Sequence, residues 1–189
     1  MAYNPDVIDS GECTPSEVMA GFPTRIAFIR DCDVTEVPVR KETVETAADK
    51  CAMTGQFVFK AGKRPIFIDS IDQTVHYAAA IQGETGSKSF APTAEFATKD
   101  KVEADAFSAE CLNRPGYLII QEFDGRQLMV GNKLLKATID PSFDSGTAMT
   151  DPRRYSFAAT VAGSFRAKQY LVTPLNMDFS GEDTYVPYS

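Results

Sequence analysis

The chain has no tryptophan and a single histidine, His76. The first absence counts against a sugar-binding platform, and the second leaves no histidine pair to hold zinc. Cysteine is sparse as well: Cys13, Cys32, Cys51 and Cys111 are scattered, with no C-x-x-C spacing and no Cys/His cluster. No apolar run approaches the roughly 20 residues that a membrane-crossing helix needs. The first residues, Met1 to Gly11, lack the basic-then-apolar order of an export signal. The four thiols are therefore expected reduced, in a soluble cytosolic protein. Cations are in deficit too, with 19 Lys and Arg against 26 Asp and Glu and a formal net charge of -7. Sequence-independent DNA binding rests on neutralising phosphates, so a passive nucleic-acid binder is disfavoured. An acidic surface remains compatible with DNA that must slide past without sticking.

Catalytic signatures are missing in the same way. No serine sits in G-x-S-x-G, so a hydrolase elbow is absent. Gly83-Glu84-Thr85-Gly86-Ser87-Lys88 departs from the phosphate-loop spacing and places an acid where backbone donors should face phosphate, so it reads as a hairpin turn. His76 lies between Val75 and Tyr77 and reads as a strand residue facing solvent or a neighbour rather than a general base. Asp31, Asp33, Asp69 and Asp72 read as strand-end and turn residues, because no D-x-D-x-D-G run or paired helical spacing accompanies them. The expectation is no catalysis, no cofactor and no metal.

What the chain does have is 189 residues at 43% hydrophobic composition, enough for one substantial core. Residues 1–23 mix Pro5, Gly11, Pro15, Gly21 and Pro23 with few periodic apolar positions and read as an extended arm. Residues 24–176 read as a single domain and residues 177–189 as a Pro/Tyr-containing tail. Within the domain, residues 24–29 read as a strand and 33–39 as its shorter continuation. Residues 42–53 divide between helix and strand: Val44, Ala47, Ala48 and Cys51 have helical spacing, while Thr43, Val44 and Thr46 favour a strand.

Residues 56–70 predict a hairpin with a basic tip, Ala61-Gly62-Lys63-Arg64. Both arms are apolar at nearly every position, more than a one-sided surface hairpin requires, so both faces are expected to be covered. A partner subunit is the candidate cover, which marks Phe57, Phe59, Ile66 and Ile68 as expected interface residues. Residues 74–81 and 89–98 predict two more strands.

Asp100 with Glu103 three residues later resembles a capping box, and Pro115-Gly116 closes the helix it opens. Val102, Ala106 and Ala109 form one apolar stripe; Ala104, Phe107 and Cys111 form another on nearly the opposite side. Such a helix is either sandwiched between two surfaces or packed on one sheet with Phe107 tucked beneath a loop. Residues 117–123 and 127–130 then flank Asp124-Gly125, a strong hairpin signal. Gly131-Asn132 turns into residues 134–139, residues 140–153 read as a polar loop, and residues 155–161 and 167–173 as a last hairpin about Gly163. The predicted fold class is α+β and mainly β, a β-sandwich or split barrel with one central helix and an extended hairpin.

Several short motifs in this half, Gly116-Tyr117-Leu118-Ile119-Ile120-Gln121-Glu122-Phe123-Asp124-Gly125, Met129-Val130-Gly131, Asp144-Ser145-Gly146-Thr147, Asp151 and Tyr155-Ser156-Phe157, together resemble the C-terminal half of bacteriophage tail tube proteins. The match runs over residues 96–172. The resemblance implies a subunit that joins copies of itself in rings, usually hexameric, stacked into a tube through which DNA passes without specific binding. It further implies neighbouring tail or neck proteins as partners, no membrane, and a place in the virion after assembly in the bacterial host cytoplasm. Neck, connector and tail-terminator proteins share much of this fold and stand as alternatives, as does a ligand-binding β-sandwich whose exposed aromatics, Tyr3, Tyr185 and Tyr188, would make the contacts.

Overall fold

Ile26-Ala27-Phe28-Ile29 and Tyr117-Leu118-Ile119-Ile120 are apolar at consecutive positions instead of alternate ones. Strand side chains alternate between faces, so such a run can only be satisfied where both faces are dry. The computed structural model, which describes residues 22–147, 151 and 153–177, pairs these two runs with each other at the centre of the molecule.

The strands are β1 (Arg25–Arg30), β2 (Val34–Glu36), β3 (Val39–Arg40), β4 (Ala52–Thr54), β5 (Val58–Phe59), β6 (Ile66–Asp69), β7 (His76–Gln82) and β8 (Ser89–Lys99). Helix α1 (Val102–Cys111) follows, and then β9 (Gly116–Gln121), β10 (Gln127–Val130), β11 (Thr138–Asp144), β12 (Arg154–Thr160) and β13 (Tyr170–Leu171). They form a seven-stranded sheet in the order β3-β4-β13-β10-β9-β1-β6, a four-stranded sheet in the order β11-β12-β8-β7, and a two-stranded ribbon of β2 and β5. The protein is mainly β with one α-helix among the described residues, a sandwich of the predicted class.

The central sheet is covered on both sides. On one face Ile26, Phe28, Leu118, Ile120 and Val130 meet Phe96, Phe157, Ala159 and Ile139 of the four-stranded sheet, with Phe107 and Cys111 of α1 closing the side. Ring contacts run from Phe28 to Phe107 (5.8 Å), Phe107 to Phe157 (5.2 Å) and Phe157 to Phe96 (5.1 Å), joining β1, α1, β12 and β8. On the other face Ala27, Ile29, Tyr117, Ile119 and Met129 pack under Val34, Phe57, Leu171 and Leu175. The core also takes in Phe22 and Met177, slightly past the expected limits of residues 24 and 176. The expected arm, residues 1–21, and the tail from residue 178 lie outside the described residues.

Four expectations need correction. The 56–70 segment turns at its basic tip, where Lys63 N donates to Lys60 O (2.9 Å), but its arms do not pair with each other. β5 pairs with β2 and β6 with β1, because β1 offers a longer apolar partner whose register is pinned by Arg25 to Asp69 at 2.8 Å. The polar loop expected at 140–153 is strand as far as Asp144. Only Ile139 of β11 is buried, so Asp140, Ser142 and Asp144 pass for loop composition, and Pro141 is tolerated because β11 is an edge strand. The expected closing hairpin about Gly163 opens instead: β12 belongs to the four-stranded sheet, while β13 crosses to lie between β10 and β4. Finally, Asp100 caps nothing. Lys101 occupies the N-cap position without a side-chain bond, and Asp100 pairs with Arg153 at 2.8 Å. The helix buries only Phe107 and Cys111, with Val102 83% exposed, so it packs on one side.

The residues between β3 and β4 are neither the helix nor the strand that composition allows. They are mostly exposed turn ending in a short 3-10 segment, Ala48–Cys51, held by Lys41 to Asp49 at 2.6 Å. The β9–β10 and β7–β8 hairpins stand where the turn chemistry places them, with Gly125 at φ +85° and Gly83 and Gly86 at φ +93° and +99°.

Gly116 starts β9 where the chain passes closest to β1. A Cβ there would lie 2.3 Å from Ile29 O and 2.7 Å from the Phe28 ring, neither of which can retreat from the core. Gly116→Ala is expected to destabilise the fold by about 3 kcal/mol or more, read as a lower urea midpoint at unchanged slope.

Candidate functional site

The residues with chemical potential are dispersed. His76 is exposed on β7, opposite Glu95. Asp31 and Asp33 stand at the β1–β2 corner, each with its own cation: Asp31 with Lys136 at 3.0 Å, and buried Asp33 with Arg30 at 2.5 Å and Lys63 at 3.7 Å. Burial pushes the Asp31 carboxyl up, but the hydrogen bonds from Tyr117 and Lys136 outweigh it and hold the group below the ordinary carboxylate range. Burial and Asp31 together raise the Tyr117 phenol, whose hydroxyl donates to Asp31 Oδ1 at 2.7 Å. Asp69 pairs with Arg25, and Asp72 is exposed. Among the described residues no three His, Cys, Asp or Glu side chains gather as a metal site would need.

Of the expected interface residues, Phe57 and Ile68 are core residues of the folded chain, 7% and 8% exposed, on opposite faces of the central sheet. The Phe57 ring lies 5.8 Å from that of Tyr117. Phe59 and Ile66 are half-buried against the same two cores. The chain itself covers most of what the sequence assigns to a neighbour, because the two arms insert into different layers. The Asp144-Ser145-Gly146-Thr147 motif closes its own loop: Thr147 N and Oγ1 both donate to Asp151 Oδ2 at 3.0 Å, and Gly146 N donates to Asp144 Oδ1 at 2.9 Å.

Among the described residues, the four-stranded sheet has no strand beside either of its edges. Its edges are β7 and β11, each seven residues long, and because every pair in the sheet is antiparallel, β7 of one copy runs antiparallel to β11 of another set beside it. Natural edge strands are usually blunted by charge, proline or a bulge. β11 carries Asp140, Pro141 and Asp144, whereas β7, His76-Tyr77-Ala78-Ala79-Ala80-Ile81-Gln82, has no proline, no acid, no lysine or arginine, and an unbroken register with β8. The outer face of the sheet is built of small side chains, among them Ala78, Ala80, Thr93, Ala97, Thr138, Ser142, Ser156, Ala158 and Thr160. Its charges are the acids Glu95, Asp140 and Asp144 and the bases Lys99 and Arg154. Sequence reading finds β7 as a strand but cannot show that no described strand pairs with its outer side.

Among the described residues a recess of about 430 Å³ lies between β6 and the first turns of α1. Ile68, Phe107 and Phe157 contribute to its lining, with Lys99, Lys101 and Glu103 among its polar members. Thr98 lines it too, 7% exposed, with a buried hydroxyl that has no hydrogen-bond partner among the described residues. No family model, curated protein or solved structure matches the chain.

The thiols differ in a way that can be checked. Burial pushes the Cys111 thiol up to about 11, and its Sγ donates to Ser108 O at 3.4 Å, while Cys32 is exposed. The thiolate is the reactive form, so iodoacetamide at pH 8 is expected to label Cys32 in the native protein and Cys111 only after denaturation, as read by peptide mass spectrometry.

Proposed function

We propose that the chain is a structural subunit that joins copies of itself edge to edge in closed rings, forming the wall of a bacteriophage tail tube or the adjoining neck, and that it performs no catalysis. The observation that carries this reading is the four-stranded sheet, open at both edges among the described residues, with β7 bearing none of the usual protection. An isolated subunit pays for such an edge with a risk of aggregation; a ring subunit uses it. Head-to-tail contacts that close by rotation turn each sheet into one segment of a continuous antiparallel barrel. The resemblance over residues 96–172 supports the same reading, since the end of β8 and all of α1, β9, β10, β11, β12 and β13 fall in that stretch.

The outer face of the sheet then becomes the inner wall. Small hydroxyl and methyl side chains leave a smooth surface, and its charges of both signs give phosphate no sustained grip. A ligand-binding sandwich is the second reading, favoured by the recess beside α1 and the unpartnered Thr98 hydroxyl. It predicts a monomer. The aromatics expected to serve it, Tyr3, Tyr185 and Tyr188, lie outside the described residues.

Successive amides of a strand point to opposite sides, so of Ala78→Pro and Ala79→Pro one removes a donor to β8 and the other only a donor to the open edge. The open-edge variant is expected to keep the monomer's stability within about 0.5 kcal/mol and yet form no rings in light scattering and negative-stain images. Rings formed normally by a stable proline variant would rule β7 out as the contact. Wild-type rings are further expected to show no binding to duplex DNA at physiological salt, where a non-specific binder reaches about 10⁻⁴ to 10⁻⁶ M. Binding in that range with a steep salt dependence would indicate a protein that grips DNA.

A further inference from the structure

The hydrogen bonds of the four-stranded sheet fix which backbone groups point off its edges. Phe90 N donates to Ser164 O at 2.9 Å, Ser164 N to Phe90 O at 2.6 Å and Val161 N to Pro92 O at 3.2 Å, so the even-numbered residues of β8 face β12. Its odd-numbered residues face the other way, where Ala97 O accepts from Ile71 N at 2.7 Å. Bonding direction alternates along a strand, and the registers of β8 with β7, β8 with β12 and β12 with β11 run without a shift. The alternation therefore carries across the sheet. His76, Ala78, Ala80 and Gln82 direct their N–H and C=O groups to β8, and Thr138, Asp140, Ser142 and Asp144 direct theirs to β12. Tyr77, Ala79 and Ile81 point theirs off one edge, and Ile139, Pro141 and Phe143 point theirs off the other. Ala137 follows the same rule on the β11 side: its N and O both bond Gly116, at 2.9 Å, away from β12.

We propose that the contact between copies has a single register, in which Tyr77, Ala79 and Ile81 of one copy lie opposite Phe143, Pro141 and Ile139 of the next. The register rests on the edge-to-edge reading above and specifies it. A slip of one residue would set outer side chains against inner ones. Slips of two keep the faces matched but lose backbone pairing at one end. One of them puts Ile81 opposite Ala137, whose groups are taken by Gly116; the other puts Ile139 opposite Gly83, which at φ +93° has left the extended conformation. In the proposed register both seven-residue strands begin and end together.

The side chains agree with the backbone. On the inner face Phe143, 46% exposed, meets Tyr77, and Ile81, 66% exposed, meets Ile139. On the outer face His76 meets Asp144, Ala78 meets Ser142, Ala80 meets Asp140 and Gln82 meets Thr138, so no like charges stand opposite each other. Pro141 falls opposite Ala79 and accepts from its amide without being asked to donate. A segment of the same chain laid on β7 would leave β11 as it is, whereas the contact between copies satisfies both edges with one set of bonds. Length, bonding direction, face and charge of the two edges match each other, and this is what makes a second copy the occupant.

The test places cysteines at a pair predicted to face across the contact, Ala78→Cys and Ser142→Cys, both at exposed positions. Such non-hydrogen-bonded pairs bring Cα atoms to about 4.5 Å, within disulfide range. Within one chain the two positions are three strand spacings apart, about 14 Å, too far to bridge. Under mild oxidation a mixture of the two single variants is expected to give covalent dimers joined between positions 78 and 142 in peptide mass spectra. The double variant is expected to give a ladder of covalent oligomers. The shifted pairs, Ala80→Cys with Ser142→Cys and Ala78→Cys with Asp140→Cys, are expected to stay unbridged over the same time. In wild-type protein, hydrogen exchange at the Tyr77, Ala79 and Ile81 amides is expected to be fast in dilute monomer and slow after assembly. Exchange already slow in the monomer would overturn the proposal, since the chain would then cover its own edge. Rings that bridge a shifted pair in place of 78 and 142 overturn the register and leave the ring reading standing. A 78 to 142 bridge in open fibres without rings does the reverse.

Discussion

Everything in this molecule is arranged around a β1–β9 ladder that is dry on both faces. Ile26 to Ile29 and Tyr117 to Ile120 are at most 1% exposed, and a strand pair buried on both sides needs two covering layers. One layer is the four-stranded sheet with α1; the other is the β2–β5 ribbon with the segment after β13. The segment after β13 is fixed by Gln127, whose Nε2 donates to Leu175 O and whose Oε1 accepts from Leu175 N, both at 2.6 Å. Helix α1 fills the side between the layers through Phe107 and Cys111, its two buried residues.

The same arrangement shows how much of the fold was legible in the sequence. Local signals carried well: the Asp124-Gly125 and Gly83 to Lys88 turns join strands that do pair, and the helix lies where its flanking signals put it. Pairing between segments did not carry. Turns before β6 and after β12 were read as hairpins because adjacent apolar strands usually pair, yet in both cases the second strand finds a better partner far away in the chain. Apolar excess at residues 56–70 was a true sign of burial on both faces, but sequence alone does not say whether the cover comes from the same chain. The strand portion of residues 140–144 was hidden by Pro141 and two aspartates, which suit an edge strand as well as they suit a loop.

The candidate surfaces were less legible still, for a physical reason. A strand edge with no described neighbour and a hydroxyl with no described partner are properties of position after folding, and alanine-rich β7 carries no chemical mark of its own. What singles it out is the contrast with β11, where charge and proline blunt the opposite edge of the same sheet. Protection on one side and exposure on the other fits a contact with a direction.

The pairing of β13 with β4 has a consequence for the order in which the chain reaches its final form. β3 and β4 join the seven-stranded sheet through Tyr170 and Leu171, which lie parallel to Ala52 and Met53. Loop closure across such a separation is entropically slow, and during synthesis the partner strand is made last. All four strands of the other sheet are complete by Thr160. The four-stranded sheet is therefore complete before the far rim of the larger sheet has docked, and a newly made chain passes through an interval in which its edge strands are formed while the other sheet is still unfinished.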